Sequence, residues 1–215
     1  MHARDTHRPL HGFRRGSLPC LVECGPSTWR EIPLRVGWAG SQGGGMTCAL
    51  QAEQRPGVTI LGVGNTLLAD EGIGVHVVRR LQDLAGDCDD IELVDGGTLS
   101  FNLVPVIEAA KRLIVIDAAN LGSSPGSFRC FVGDELDRFL GSSKHTAHEV
   151  GLRELFDMAR LDGCLPSHRA LIGIQPLRID WGEEPTSPVA AAISQVSGLA
   201  IRLARQWCDR PVEDV

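Results

Sequence analysis

The sequence predicts an α/β fold, a mostly parallel, twisted sheet of about five strands with helices on both faces. Three observations predict it. Short apolar runs alternate with amphipathic segments from about residue 58 to 207, the pattern of a parallel sheet covered on both sides. One run, Arg-Leu-Ile-Val-Ile at 112–116, is apolar almost throughout, as a strand buried on both faces must be. Acidic residues follow the runs closely at Asp70-Glu71, Asp95 and Asp117. That is the rim where such sheets bind ligands.

The elements follow in order. Residues 59–63 read as the first strand, ended by the Gly64-Asn65 turn. A helix is expected over 72–85. Val75, Val78, Leu81 and Leu84 share one face at helical spacing, and Gly86-Asp87 stops it. Asp70 is expected to cap this helix and leave Glu71 facing the cleft. Residues 91–94 form a second strand that ends at Asp95-Gly96-Gly97. Thr98 or Ser100 is placed to cap a helix carrying Leu103, Val104 and Ile107. The third strand, 112–116, ends at Asp117. Residues 127–132 make a fourth strand after a Ser-Ser-Pro-Gly turn, followed by a short helix at 134–140. A polar loop over 141–148 brings His145 and His148. A helix over 149–161 turns Leu152, Leu155, Phe156 and Ala159 inward, and 170–174 is the fifth strand. After a loop over 175–184, Pro188 sits at the start of the last helix, where its missing N–H costs nothing. That helix reaches about Trp207.

Residues 1–57 lack this patterning and are expected to be a disordered extension of a 58–210 domain. His and Arg crowd the first fifteen positions, and Met46 is an alternative start. Of the chain's 215 residues 43% are hydrophobic and the net charge is −6, so composition gives no support to a nucleic-acid role. No apolar run approaches the ~20 residues that cross a bilayer. The seven cysteines are odd in number and scattered, which suits reduced thiols in a cytoplasm. Cys20 and Cys24 have no second pair to complete a zinc site.

Chemistry collects on the rim. Asp70, Glu71, Asp95, Asp117 and an imidazole from His145 or His148 would converge there. That much negative charge repels itself unless a cation compensates it. Two carboxylates and an imidazole suit nickel, zinc, manganese or iron. An Asp after a strand also caps turns, and Asp95 keeps that alternative. The dinucleotide fingerprint fails, because its third glycine would fall at Leu67. No Gly-x-Ser-x-Gly is present. His148-Glu149 opens an H-E-x-x-H pattern that ends in Leu152 instead of His.

The stretch Gly-Val-Gly-Asn-Thr-Leu-Leu-Ala-Asp-Glu-Gly-Ile-Gly-Val-His-Val-Val at 62–78 closely resembles the opening of the hydrogenase maturation proteases. Val-Asp-Gly-Gly-Thr at 94–98, Ile-Val-Ile-Asp-Ala at 114–118 and His-Glu-Val-Gly-Leu at 148–152 agree in the same order. The resemblance implies an endopeptidase that trims the C-terminal extension from the large-subunit precursor of a nickel-iron hydrogenase after nickel insertion. It implies a metal-contacting triad of Glu71, Asp117 and His148, with His148 preferred to His145 because it immediately precedes the Gly-Leu helix start. The nickel would arrive on the substrate, and zinc or cadmium could occupy the site in vitro. Cleavage would run through a metal-polarised carbonyl or water, or by an aspartic-type route with Asp117 or Asp95 as general base. The turns Gly64-Asn65 and Gly96-Gly97 are the expected substrate-binding backbone. A cytoplasmic monomer that neither inserts in a membrane nor binds nucleic acid is expected. A non-catalytic nickel-binding accessory protein is the main alternative and a nucleotide-binding α/β module the second. No triad member is lost, which weighs against the first. The carboxylate-rich rim would repel phosphates, which weighs against the second.

Overall fold

The computed structural model describes residues 56–84, 90–141 and 147–209, with backbone alone for residue 84 and 147–150. Residues 1–55 of the predicted extension, with Met46, Cys20 and Cys24, and His145 lie outside these residues.

Five strands form one sheet in the order β2-β1-β3-β5-β4. They are β1 (Val58–Gly62), β2 (Ile91–Asp95), β3 (Arg112–Ala118), β4 (Phe128–Val132) and β5 (His168–Ile174). All neighbours run parallel except β4, which pairs antiparallel with β5 at the edge. The predicted α/β class therefore holds, with one strand reversed. β3 is buried along its whole length, as its apolar run requires. It also extends past Ile116, so Asp117 lies within the strand, paired with Gly173 of β5, and not after it as expected.

The helices are α1 (Ile73–Leu84), α2 (Val104–Ala109), α3 (Asp134–Gly141), α4 (Ala147–Leu161) and α5 (Ser187–Cys208). Alternation along the strands sends side chains to opposite faces, and each face has its own core. Ile60, Ile114, Ile116 and Ile172 meet Ile73, Val77 and Leu81 of α1 and Val189, Val196 and Ala204 of α5 on one side. Leu61, Leu113, Val115 and Leu171 meet Ile107 of α2, Leu136 of α3 and Leu152 and Phe156 of α4 on the other.

Three local expectations change. A 3₁₀ turn, Ala69–Gly72, precedes α1, and Asp70 in it does not cap the helix. Neither Thr98 nor Ser100 caps α2. The chain enters through a 3₁₀ turn at Phe101–Leu103, and Ser100 at its N-terminus makes no side-chain cap bond. The 22-residue α5 is also long and apolar enough to cross a membrane, contrary to the reading of the sequence. Its apolar stripe instead packs on the sheet, while Arg202 and Arg205 stay exposed, the division expected of an amphipathic core helix.

Candidate functional site

The chain leaves β1 for β2 on one side and returns to β3 on the other, so the crevice between β1 and β3 is the switch point of the sheet. Val63 N donates to Ile116 O at 3.0 Å, which sets the end of β1 beside Asp117. The helix start is pressed into the same place. A β-carbon at Gly74 would stand 2.1 Å from Ile116 O and 2.4 Å from Val63 O, so only glycine admits this approach. Gly64, at φ +137°, likewise lies where a β-carbon would be 1.9 Å from Glu71 O. These two glycines fold the turn that carries Glu71 over the end of β1 and towards β3.

Glu71 is half-buried on that turn. Asp117 is 2% exposed, and its Oδ1 accepts from Ala118 N at 2.7 Å. One carboxylate thus comes from the turn that follows β1 and the other from β3, the two strands that flank the crevice. His148 lies in the first turn of α4, and its side chain is outside the described residues. A β-carbon at Gly151 would stand 3.6 Å from Leu99 Cδ1, so α4 begins against the loop that follows Asp95-Gly96-Gly97. Gly64 N donates to Gly97 O at 2.8 Å, and Gly96 N to Gly62 O at 2.8 Å. The turns Gly64-Asn65 and Gly96-Gly97 therefore form one continuous backbone ledge. Asn65 Oδ1 is turned back to accept from Leu67 N. Among the described residues no three His, Cys, Asp or Glu side chains are grouped to hold a metal ion.

The other two rim carboxylates are engaged by groups of the protein itself. Asp95 Oδ1 accepts from Gly97 N, and its Oδ2 pairs with Arg79 at 3.2 Å. Asp70 is fully buried. Its Oδ2 accepts from Leu177 N at 2.9 Å, Arg178 N at 3.0 Å and Thr186 Oγ1 at 2.9 Å, and its Oδ1 from Thr186 N at 2.6 Å. Burial works against the charge, but the backbone and hydroxyl donors outweigh it and hold the carboxyl below its ordinary value. The crowd of negative charge expected at the rim is thus divided. Two carboxylates serve the architecture, while Glu71 and Asp117 flank the crevice.

The family model described as "HycI: Hydrogenase maturation protease" matches residues 75–203. The chain belongs to the hydrogenase maturation protease family. Asp95, Asp117 and His148 fall within the matched residues, and Glu71 lies four residues before them. The hydrogenase expression/formation protein HupD of Bradyrhizobium diazoefficiens is 40% identical over 151 residues, 70% of this chain and 79% of that protein. The hydrogenase 2 maturation protease of Escherichia coli is 32% identical over 144 residues, 65% and 87% of the two chains. Among solved structures, the hydrogenase maturating endopeptidase HybD of E. coli superimposes with a TM-score of 0.64 at 29% identity, covering 69% of this chain and 92% of its own. The maturation protease HybD of Thermococcus kodakarensis gives 0.59 at 29%, covering 68% and 98%. A maturation protease is a peptide hydrolase, so this chain is an enzyme.

The sequence reading missed what lies between β5 and α5. The loop 175–186 is fastened to the maturation protease's Glu71 turn. Besides the Asp70 bonds, Ala69 N donates to Gly182 O at 2.6 Å and Gly182 N to Leu67 O at 3.0 Å. Ala69 adopts a positive φ of 48°, a backbone cost tolerated where surrounding bonds over-determine the conformation. His76 on α1 lies half-buried beside this loop. Burial pushes its pKa below the ordinary value. Glu184 and Asp95 nearby act to raise it and Arg79 to lower it. No sequence motif marks Asp70 or His76 for these duties.

Proposed function

We propose that this chain is the endopeptidase that removes the C-terminal extension from the large-subunit precursor of a nickel-iron hydrogenase after nickel has been inserted. Membership of the family supports the reaction class. The observation that carries the site is the convergence of the Glu71 turn and the buried Asp117 on the β1–β3 crevice, with α4 starting against the neighbouring loop. Glu71, Asp117 and His148 would contact the nickel that the precursor carries. The protease then supplies half of a coordination site and the substrate the rest, so cutting depends on prior loading. Zinc or cadmium, with similar affinity for carboxylate and imidazole, would compete there in vitro.

In the hydrolysis, a water molecule attacks the scissile carbonyl carbon and the C–N bond breaks. One water proton passes to a carboxylate and then to the leaving amine. Asp117 suits this aspartic-type base better than Asp95. Asp117 lies at the buried end of β3 beside the crevice, whereas Asp95 is tied into an exposed ion pair with Arg79. The ledge at Gly64-Asn65 and Gly96-Gly97 would carry the extended precursor chain. We place the reaction in the cytoplasm, where Cys130, Cys164 and Cys208, none of them in a disulfide, stay reduced, and assign it to a monomer.

Glu71→Gln, Asp117→Asn and His148→Ala are expected to keep the fold, seen by circular dichroism, and to abolish trimming of the nickel-loaded precursor, seen by intact mass. Trimming at the wild-type rate would remove that residue from the site. If all three variants trimmed normally, the assignment would fall as a whole.

A further inference from the structure

Large apolar side chains stand in solvent on one loop, and the fold holds that loop still. Trp181 is 80% exposed, Leu177 57% and Ile179 48%, and Leu67 on the facing turn is 50% exposed. Scattered exposed apolar residues are ordinary, but a group on one segment points to a partner. The backbone beneath them is fastened at several points. Asp70 takes Leu177, Arg178 and Thr186, and Gly182 bonds both Leu67 and Ala69. At the loop's start, Gln175 N donates to Ser127 O, and Gln175 Oε1 accepts from Leu121 N at 2.8 Å. A loop ordered before binding loses little further entropy on docking. The apolar residues are flanked by three carboxylates, Asp180, Glu183 and Glu184, against one guanidinium, Arg178, which pairs with Asp180 at 3.0 Å. The ridge is continuous with the candidate site, since Leu67 lies four residues before Glu71 on the same turn.

We propose that Leu67, Leu177, Ile179 and Trp181 form a preformed docking ridge for an apolar segment of the hydrogenase large-subunit precursor that carries positive charge beside it. This rests on the protease reading and adds the surface by which the substrate is held. Asp70 is then a positioning residue, because it fixes the ridge to the turn that bears Glu71.

The test measures both trimming kinetics and direct affinity for the nickel-loaded precursor, with full-length protein. Leu177→Ser, Trp181→Ser and the double variant are compared with Leu161→Ser, a control on α4 that is 87% exposed. Removing a central aromatic anchor typically costs enough to weaken binding by about tenfold or more. The double variant is therefore expected to raise KM and Kd by at least that factor with kcat kept, and the control to change neither. Rising salt should raise wild-type KM, as screened charges require. Unchanged KM and Kd in the double variant would overturn the ridge, as would a fall in kcat alone. A wild-type dimer made monomeric by Trp181→Ser, with Kd unchanged, would also overturn it and assign the surface to a second copy. Wild-type protein that binds without trimming would reject the protease reading, while weaker binding by the variants would still support the ridge. Wild-type protein that neither binds nor trims would reject both.

Discussion

The carboxyl ends of β1 and β2 are neighbours in one sheet, yet they are finished in opposite ways. After β1 the chain folds into a turn closed by glycine contacts, and its Asp70 carboxylate is fully buried with four donors. After β2 the chain makes a two-residue turn on its own aspartate, and the Asp95 side chain remains 34% exposed beside a 54% exposed Arg79. Both were acidic residues following a strand, indistinguishable as sequence. The difference teaches that acidic residues along one rim can serve different parts of the architecture. Asp70 joins two distant segments, Asp95 finishes a turn, and Glu71 and Asp117 remain at the crevice as candidates for chemistry.

The largest expected effect of breaking this contrast is at Asp70. Asp70→Asn removes the charge and turns amide hydrogens towards groups that are themselves donors. Losing hydrogen bonds to a buried charge is expected to cost about 3 kcal/mol, measured by denaturant unfolding. The pH dependence has a definite sign. The folded pKa is depressed, so the Asp70 contribution is fully present above the ordinary value near 3.8 and is lost as pH falls through the folded value. The stability gap between wild type and Asp70→Asn should therefore narrow in acid below that point. A gap that stayed constant would mean that the charge of Asp70 does not hold the loop.

A smaller effect is expected at His76, under the same loop. Its folded pKa is lowered, chiefly by burial, so the unfolded chain takes up its proton first as pH falls. Its contribution is complete above the ordinary 6.5 and declines below it, until the folded pKa is passed. His76→Gln should flatten the stability profile just below pH 6.5, while the wild type slopes. The smallest effect is expected at Asp95. Exposed ion pairs contribute under about 1 kcal/mol, so Asp95→Asn should scarcely move stability and should leave trimming intact. Loss of trimming with the fold preserved would return Asp95 to the role of general base and erase the contrast drawn here.

Much of the fold was legible because its signals are local. The β3 strand declares itself by the apolar run at 112–116, and α5 by Pro188 at its start. Asp117 was legible for the same reason, since a carboxylate at the end of such a run lies at the edge of the core. What escaped depends on contacts distant along the chain. The donors to Asp70 lie 107, 108 and 116 residues away, so helix capping, the nearest explanation in sequence, was preferred and was wrong. The reversal of β4 escaped because its partner β5 comes later in the chain and inserts between β3 and β4. The choice of His148 over His145 came from the family resemblance and not from spacing, because both imidazoles lie in the same polar stretch.

The most direct measurement mixes the purified protein with a nickel-iron hydrogenase large-subunit precursor from the same host, prepared with and without nickel, and follows both by intact mass. Loss of a C-terminal peptide from the nickel-loaded precursor alone is the predicted result. It would establish the peptidase activity on this substrate together with its dependence on metal loading. Equal trimming of both forms would contradict a nickel-reading site at Glu71, Asp117 and His148. Stable binding without trimming would contradict the assignment as a processing enzyme and favour an accessory role.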